Sequence, residues 1–348
     1  MNTDPGVRPG REKGACVHVD AMRDAFRACG ADVVALDLFD EQSVHERLEA
    51  EHASTPIDLI YERFALHSRA AGRFASRHGV AYVLEINAPL DEEEARHRPG
   101  GLEVDLAALR AHLDAASELL CVSEDVAAWA RTRGGPHARV RVVGNGVDTD
   151  RFRPELRARG MSALSLPDDA FVVGFHGRLR PWHGFGRLVD SLAILRAQKV
   201  PVHLLAIGVG DFEAEIGDAL PRDAWTCLPW VPNEKVGEYV ACFDVLPLTY
   251  DPAEPCYFSP LKLLEAMAAG VVPLVPQLGD LARTVGNGSA GMIYDPHDMH
   301  SFVVSISRLH RDPELRNELR ENARALASGH SWKSIATDVL EQVGEAAR

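Results

Sequence analysis

The feature that most constrains this chain is an alternation of short apolar runs with amphipathic helical segments, occurring in two series separated by a polar stretch. In the first series ADVVALDL, PIDLIYERF, VAYVLEI, ELLCV and RVRVVGNG read as strands, while ACVHVDAMRDAFRACG, HSRAAGRFASRHG, GLEVDLAALRAHLDAA and SEDVAAWARTR read as helices. Apolar strands joined through helices, with no tight hairpins, form a parallel sheet covered on both faces. The second series runs from FVVGFHG to GMIY in the same style, and HDMHSFVVSISRLH, PELRNELRENARALASGH and SWKSIATDVLEQVGEAAR close the chain as helices. The polar, turn-rich VDTDRFRPELRARGMSALSLPDDA between the series is the expected linker. The fold class is therefore α/β, with two Rossmann-like domains facing each other across a cleft, roughly 1–150 and 151–330.

One element is missing from this pattern. The chain starts at a Gly-containing loop before a helix, where a Rossmann-type domain has its first, central strand. Either the sheet does without it, another segment fills the slot, or the gene product starts earlier.

Composition narrows the function classes. The 348 residues carry 37 Lys and Arg against 51 Asp and Glu, a formal charge of -14, which gives no general reason to hold nucleic acid. A local basic pocket for a diphosphate is compatible with that charge. The six cysteines lie far apart and form no zinc-type spacing, so no metal site is expected. The apolar stretches are strand-sized and the start MNTDPGVRPGREKG has no apolar core of a signal peptide, so no integral membrane segment and a cytoplasmic location are expected. Oligomeric state is not readable.

Five stretches carry candidate chemistry. In SPLKLLEAMAAGVVPLV a helix starts near Ser259 and Pro260; its free amides, Leu261 among them, suit a phosphate, Lys262 adds charge, and Glu265 shares its face. The same pattern also reads as a buried Leu261, Leu264, Met267 and Ala268 face with a solvated Lys262–Glu265 pair. In FHGRLRPWHGFGRL, Arg178 follows an apolar strand and can meet phosphate oxygens bidentately, with His183 donating to the same group when protonated; a basic turn around a core Trp182 is the plainer alternative. Near the start, Gly10 and Gly14 flank charged residues before a helix, where glycine lets backbone approach a ligand. At strand ends of the first half, Glu62 in YER, and Glu85 with Asn87 in EIN, can bind hydroxyls of a sugar or polyol, while Glu62 with Arg63 reads equally as a domain-face ion pair.

The run GRLxxxxGxxxLxxSL, the segment NGVDTDRF and SPLKLLEAMAAGVVPLV resemble the GT-B-fold retaining glycosyltransferases of family 4, in a branch with PWHG and FSPLK wording that shares YERF and VLEINAPL. The resemblance covers nearly the whole chain. It implies that Arg178 stands at the family's diphosphate-binding arginine, that Glu265 is the second glutamate of its E-x7-E pair and holds the donor ribose, that amides at Ser259 to Leu261 hold the distal phosphate, and that Gly14 lies in the glycine loop facing the donor. The base is met by backbone near Trp230 and Val231, and Asn87 takes the position of a histidine that contacts the transferred sugar or orients the acceptor. The C-terminal helix, 331–348, crosses back onto the first domain.

Two departures stand out: His183 replaces the usual lysine, leaving charge neutralisation to pH or to Lys262, and Tyr257 replaces the first glutamate, with Glu254 as a stand-in. The implied reaction is transfer from a nucleotide-sugar by front-side attack, needing orientation and charge stabilisation and no protein nucleophile. No cofactor is obligatory; Mg²⁺ can accompany the nucleotide without being required. A soluble small-molecule acceptor, such as an aminocyclitol, a sugar phosphate or a secondary metabolite, is favoured over a lipid-linked or polysaccharide one, because no basic amphipathic helix is evident. Two rivals remain: a nicotinamide-dependent dehydrogenase, for which GVGDFE after HLLAI is an incomplete fingerprint, and a non-catalytic sugar-nucleotide-binding protein.

Overall fold

The computed structural model describes residues 1–10, 14–97, 104–135, 138–167 and 169–346; the charged run between Gly10 and Gly14 and the start of the GLEVDLAALRAHLDAA segment lie outside the described residues. Two units emerge. One comprises Met1–Asn145, Tyr257–Ser259 and Trp332–Arg348, the other Gly146–Cys256 and Pro260–Ser331.

In the first unit β1 (Leu59–Arg63), β2 (Ala81–Ile86), β3 (Glu118–Cys121) and β4 (Val140–Val142) form a parallel sheet in sequence order. The slot that the sequence leaves empty is filled by the first residues. Asn2 bridges Arg63 on one side and Asp37 on the other. Its N–H donates to the Leu36 carbonyl at 2.9 Å, Leu38 N–H donates to the Asn2 carbonyl at 3.3 Å, and Arg63 N–H donates to the Met1 carbonyl at 3.1 Å. ADVVALDL, expected as a full strand, pairs only around Asp37. The helix Trp332–Ala346 packs on the helix Gly14–Ala28. The Trp332 ring meets His18 edge-on at 4.7 Å, and Arg141 pairs with Asp338.

The second unit contains β5 (Phe171–His176), β6 (Val202–Ile207), β7 (Trp225–Leu228), β8 (Val245–Pro247), β9 (Val272–Pro276) and β10 (Met292–Tyr294). All are parallel, in the order β10-β9-β8-β5-β6-β7. This is the doubly wound Rossmann order, in which chain direction across the sheet reverses between β5 and β8, and ligands settle outside the carboxyl ends of strands at that point. Every residue of β5 is buried, as befits a central strand covered on both faces.

The expected linker is structured. Pro154–Leu156 forms a 3₁₀ turn and Arg157–Leu164 a helix, and the change of unit comes earlier, after Asn145. The polarity of this stretch misleads because Arg157 faces protein: it donates to the Cys242 carbonyl at 2.6 Å and pairs with the buried Asp244 at 3.3 Å. Among the described residues no helix is long and apolar enough to cross a membrane.

Candidate functional site

The second unit gathers its chemistry where the sheet reverses. His176 ends β5, Tyr250 lies just past β8, and the helix Leu261–Ala268 brings Lys262 and Glu265. Lys262 Nζ sits 5.0 Å above the Phe175 ring and 6.0 Å from that of Tyr250, and 3.4 Å from His183 Nε2. Aromatic walls stabilise its cation only in part. Burial lowers its pKa to about 8, against the opposing pull of Glu265. Burial likewise lifts Glu265, 17 % exposed at the side chain, to about 7, although Arg151 and Lys262 draw it down. His176, 3.8 Å from Glu265, is pushed to about 3 by burial and by Lys262.

The His183 ring stacks on Tyr250 at 5.8 Å. Burial, Lys262 and Arg180 hold it at about 3, so in the free protein it is neutral and the donating imidazolium envisaged from the sequence does not form. Backbone packing fixes this loop: Gly184 has φ +61°, and a Cβ there would lie 2.0 Å from the Thr249 carbonyl. Positive charge at this point belongs to Lys262, with Arg178 exposed just beyond β5.

No side chain caps the helix Leu261–Ala268, whose N-cap is Pro260. Ser259, expected as its cap, instead accepts from Asn145 N–H at 3.2 Å, and Asn145 Nδ2 donates to its carbonyl. Leu261 and Lys262 thus open the helix with amides that have no intrahelical acceptor. Trp230, 48 % exposed, and Val231 follow the carboxyl end of β7, on the edge of the same sheet. The GVGDFE loop follows β6, away from the first strand of the wind, and Gly208 serves packing: a Cβ there would meet the Gly177 carbonyl at 2.1 Å.

The first unit treats its candidates differently. Glu62 is fully buried, accepting from Thr3 Oγ1 at 2.7 Å and from Tyr82 Oη at 2.6 Å. Both oxygens are engaged inside the core, so Glu62 is withdrawn as a sugar-binding residue. Glu85 lies 2.5 Å from His18 Nε2. Burial pushes its carboxyl up, but His18, Arg63 and Asn87 outweigh that and hold it below the usual range. Asn87 is half-buried beside it, and Gly14 is exposed as the first residue of its helix.

Two family models divide the chain between them: "Glycosyltransferase Family 4" matches residues 14–151 and "Glycosyl transferases group 1" residues 157–326. The chain belongs to the group 1/family 4 glycosyltransferases. It is 29% identical over 329 residues to a D-inositol 3-phosphate glycosyltransferase of Stackebrandtia nassauensis, covering 86% of this chain and 71% of that protein. A protein of the same name from Salinispora arenicola is 27% identical over 325 residues, again covering 86% and 71%. In fold the chain is similar to sucrose-phosphate synthase from Thermosynechococcus elongatus, with TM-score 0.73 and 19% identity over 97% of this chain and 94% of that one. HepE from Anabaena, solved in complex with UDP-glucose, gives TM-score 0.71 and 18% identity over 97% and 98%. These neighbours have the GT-B fold, and this glycosyltransferase shares it.

Against the glycosyltransferase pattern, Tyr257 donates from its hydroxyl to Glu93 and accepts at its carbonyl from Ser123 Oγ, so it ties the first unit together. Glu254, the suggested stand-in, is exposed in the turn after Asp251. Three residues that sequence reasoning passed over join the site. His176 and Tyr250 close the strand runs FVVGFH and DVLPLTY, where only their position at a carboxyl end marks them. Arg151, in NGVDTDRF, acts on Glu265 from outside the linear motif.

Proposed function

We propose that this glycosyltransferase moves a sugar from a nucleoside-diphosphate sugar to a hydroxyl of a soluble small-molecule acceptor of secondary metabolism, in the cytoplasm and with retention of configuration. The observation that carries the reading is the grouping of Lys262, Glu265, His183 and the uncapped helix start at the reversal point of the second sheet. Lys262 and Arg178 neutralise the leaving diphosphate, with the Leu261 amide donating to its distal phosphate. Glu265 accepts from ribose hydroxyls, Trp230 and Val231 flank the base, and Gly14 faces the donor phosphates. The neutral His183 orients Lys262 and adds a hydrogen bond. The leaving diphosphate takes the acceptor proton, so the chain supplies orientation and charge and no nucleophile.

The second unit takes the donor; the first, with its returning C-terminal helix, takes the acceptor, with Glu85 and Asn87 on that side. The Anabaena neighbour's complexes with UDP and UDP-glucose support a nucleotide donor, and the inositol 3-phosphate in the relatives' name and the small product in the name of sucrose-phosphate synthase support a soluble acceptor. Calorimetry of the full chain against UDP, GDP, ADP and dTDP and their sugar conjugates tests this. One nucleotide is expected to bind selectively, and turnover of its sugar conjugate is expected to persist in excess EDTA. Binding without any turnover or slow hydrolysis would leave a sugar-nucleotide-binding protein in its place.

A further inference from the structure

A cavity of about 480 Å³ opens in the first unit, within the ~300–1,000 Å³ range of small-molecule sites. Three of its walls are the turns that leave the carboxyl ends of adjacent parallel segments: residues 3–6 after the Asn2 bridge, 38–41 after the Asp37 bridge, and 65–68 after β1. That is where an α/β sheet receives ligands. Leu38, Phe39, Val44, Leu66 and Leu90 supply an apolar side suited to the C–H face of a ring.

The charged lining is of one sign. Asp4, Asp40, Glu41, Glu93 and Glu94 face the cavity, and among the described residues no lysine or arginine lines it and His67 is its one base. Glu41 is neutralised by Arg73, and Arg8 lies over Phe39 at the wall. Asp4 and Asp40 accept from backbone N–H groups and Glu93 from the Tyr257 hydroxyl, all neutral donors that leave the carboxylate charge in place. Ser68 lines the cavity at 8 % exposure, with its Oγ turned to the buried Glu62 carboxylate. The carboxylates are also dispersed: among the described residues no three acidic, histidine or cysteine side chains converge closely enough to hold a metal ion. The geometry suits an organic cation spread over several carboxylates.

We infer that this cavity takes an amine-bearing polyol, a cyclitol or sugar carrying a primary ammonium, and disfavours phosphorylated acceptors. The inference rests on the reading of the first unit as the acceptor side. It separates this chain from the relatives named for inositol 3-phosphate, because a phosphate calls for cationic partners, and among the described residues the lining is dominated by carboxylates with Arg8 only at its Phe39 wall.

A matched set of probes tests it: an inosamine, which is inositol with one hydroxyl exchanged for an amine, then inositol, then inositol 3-phosphate, each titrated into the full chain by calorimetry. Inosamine is expected to bind about tenfold more tightly than inositol, with the phosphate weakest. Asp4→Asn and Glu93→Gln keep an acceptor oxygen for Gly6 N–H and for Tyr257, so both preserve the local hydrogen bonds. Each is expected to weaken inosamine about three- to tenfold while leaving inositol unchanged. Binding of the phosphate as tightly as the amine, or an equal loss of inosamine and inositol in both variants, overturns the inference. UDP titrated into the same samples keeps the two readings apart: amine selectivity without any nucleotide binding supports the cavity's assignment and counts against the donor site.

Discussion

Glu85 in the first unit is buried and Glu265 in the second half-buried, each with a histidine nearby, and desolvation pushes both carboxyls toward neutrality, yet they end on opposite sides of the usual range. Glu85 has His18 at 2.5 Å, together with Arg63 and Asn87, and is held low. Glu265 has only His176 at 3.8 Å, itself neutral, while Lys262 and Arg151 offset burial incompletely, and it rests at about 7. The first unit has completed its own electrostatics around Glu85. Around Glu265 the second unit leaves a cation and an acid both partly shifted toward neutrality, a state that bound diphosphate and ribose would relieve.

The contrast can be broken most sharply at Lys262. Lys262→Met is expected to lower turnover by about 10²–10³-fold without destabilising the chain, since the amine is already disfavoured by burial. A loss of folding equal to the loss of activity would make Lys262 a structural cation. The opposite pattern is expected at Glu85. Glu85→Gln strands His18 and Arg63 and should cost about 3 kcal/mol of stability by denaturant titration, with nucleotide affinity unchanged.

The smallest effect is the sign-dependent one at Glu265. Its folded pKa of about 7 lies above the ordinary 4.5, so its contribution to stability is fully present below 4.5 and is lost as pH rises through 7. Glu265→Gln should therefore stabilise the unliganded chain by about 2 kcal/mol at pH 8 and hardly at all at pH 4.5, while weakening nucleotide binding about tenfold. A stability gain that does not vary with pH would mean that burial does not govern this carboxyl.

The sequence announced most of the architecture, because the period of short apolar runs survives in β1 to β3 and throughout the second sheet. It could not announce the first sheet position, since three residues are too few to show any period, and the pairing of Asn2 with Asp37 and Arg63 depends on partners 35 and 61 positions away. The same limit applies within the candidate site. Arg178, Lys262 and Glu265 stand in motifs whose spacing is local. The fate of Glu62 is decided by Thr3 and Tyr82, and that of His183 by Lys262 and Tyr250, contacts made only after the chain has folded. Strand alternation cannot separate a carboxylate offered to a ligand from one consumed by the core.

The helix Trp332–Ala346 also has a temporal meaning. The second unit is made almost entirely of contiguous chain, whereas the first needs its final helix to cover His18, Cys29 and Arg141, with Cys29 Sγ 3.3 Å from Thr337 Oγ1. On the ribosome the earlier-made unit must therefore wait, its Gly14–Ala28 helix uncovered, until the last turns emerge. The loop closed by that contact spans most of the chain, a slow step for which chaperone shelter of the nascent first unit would matter more than for the second.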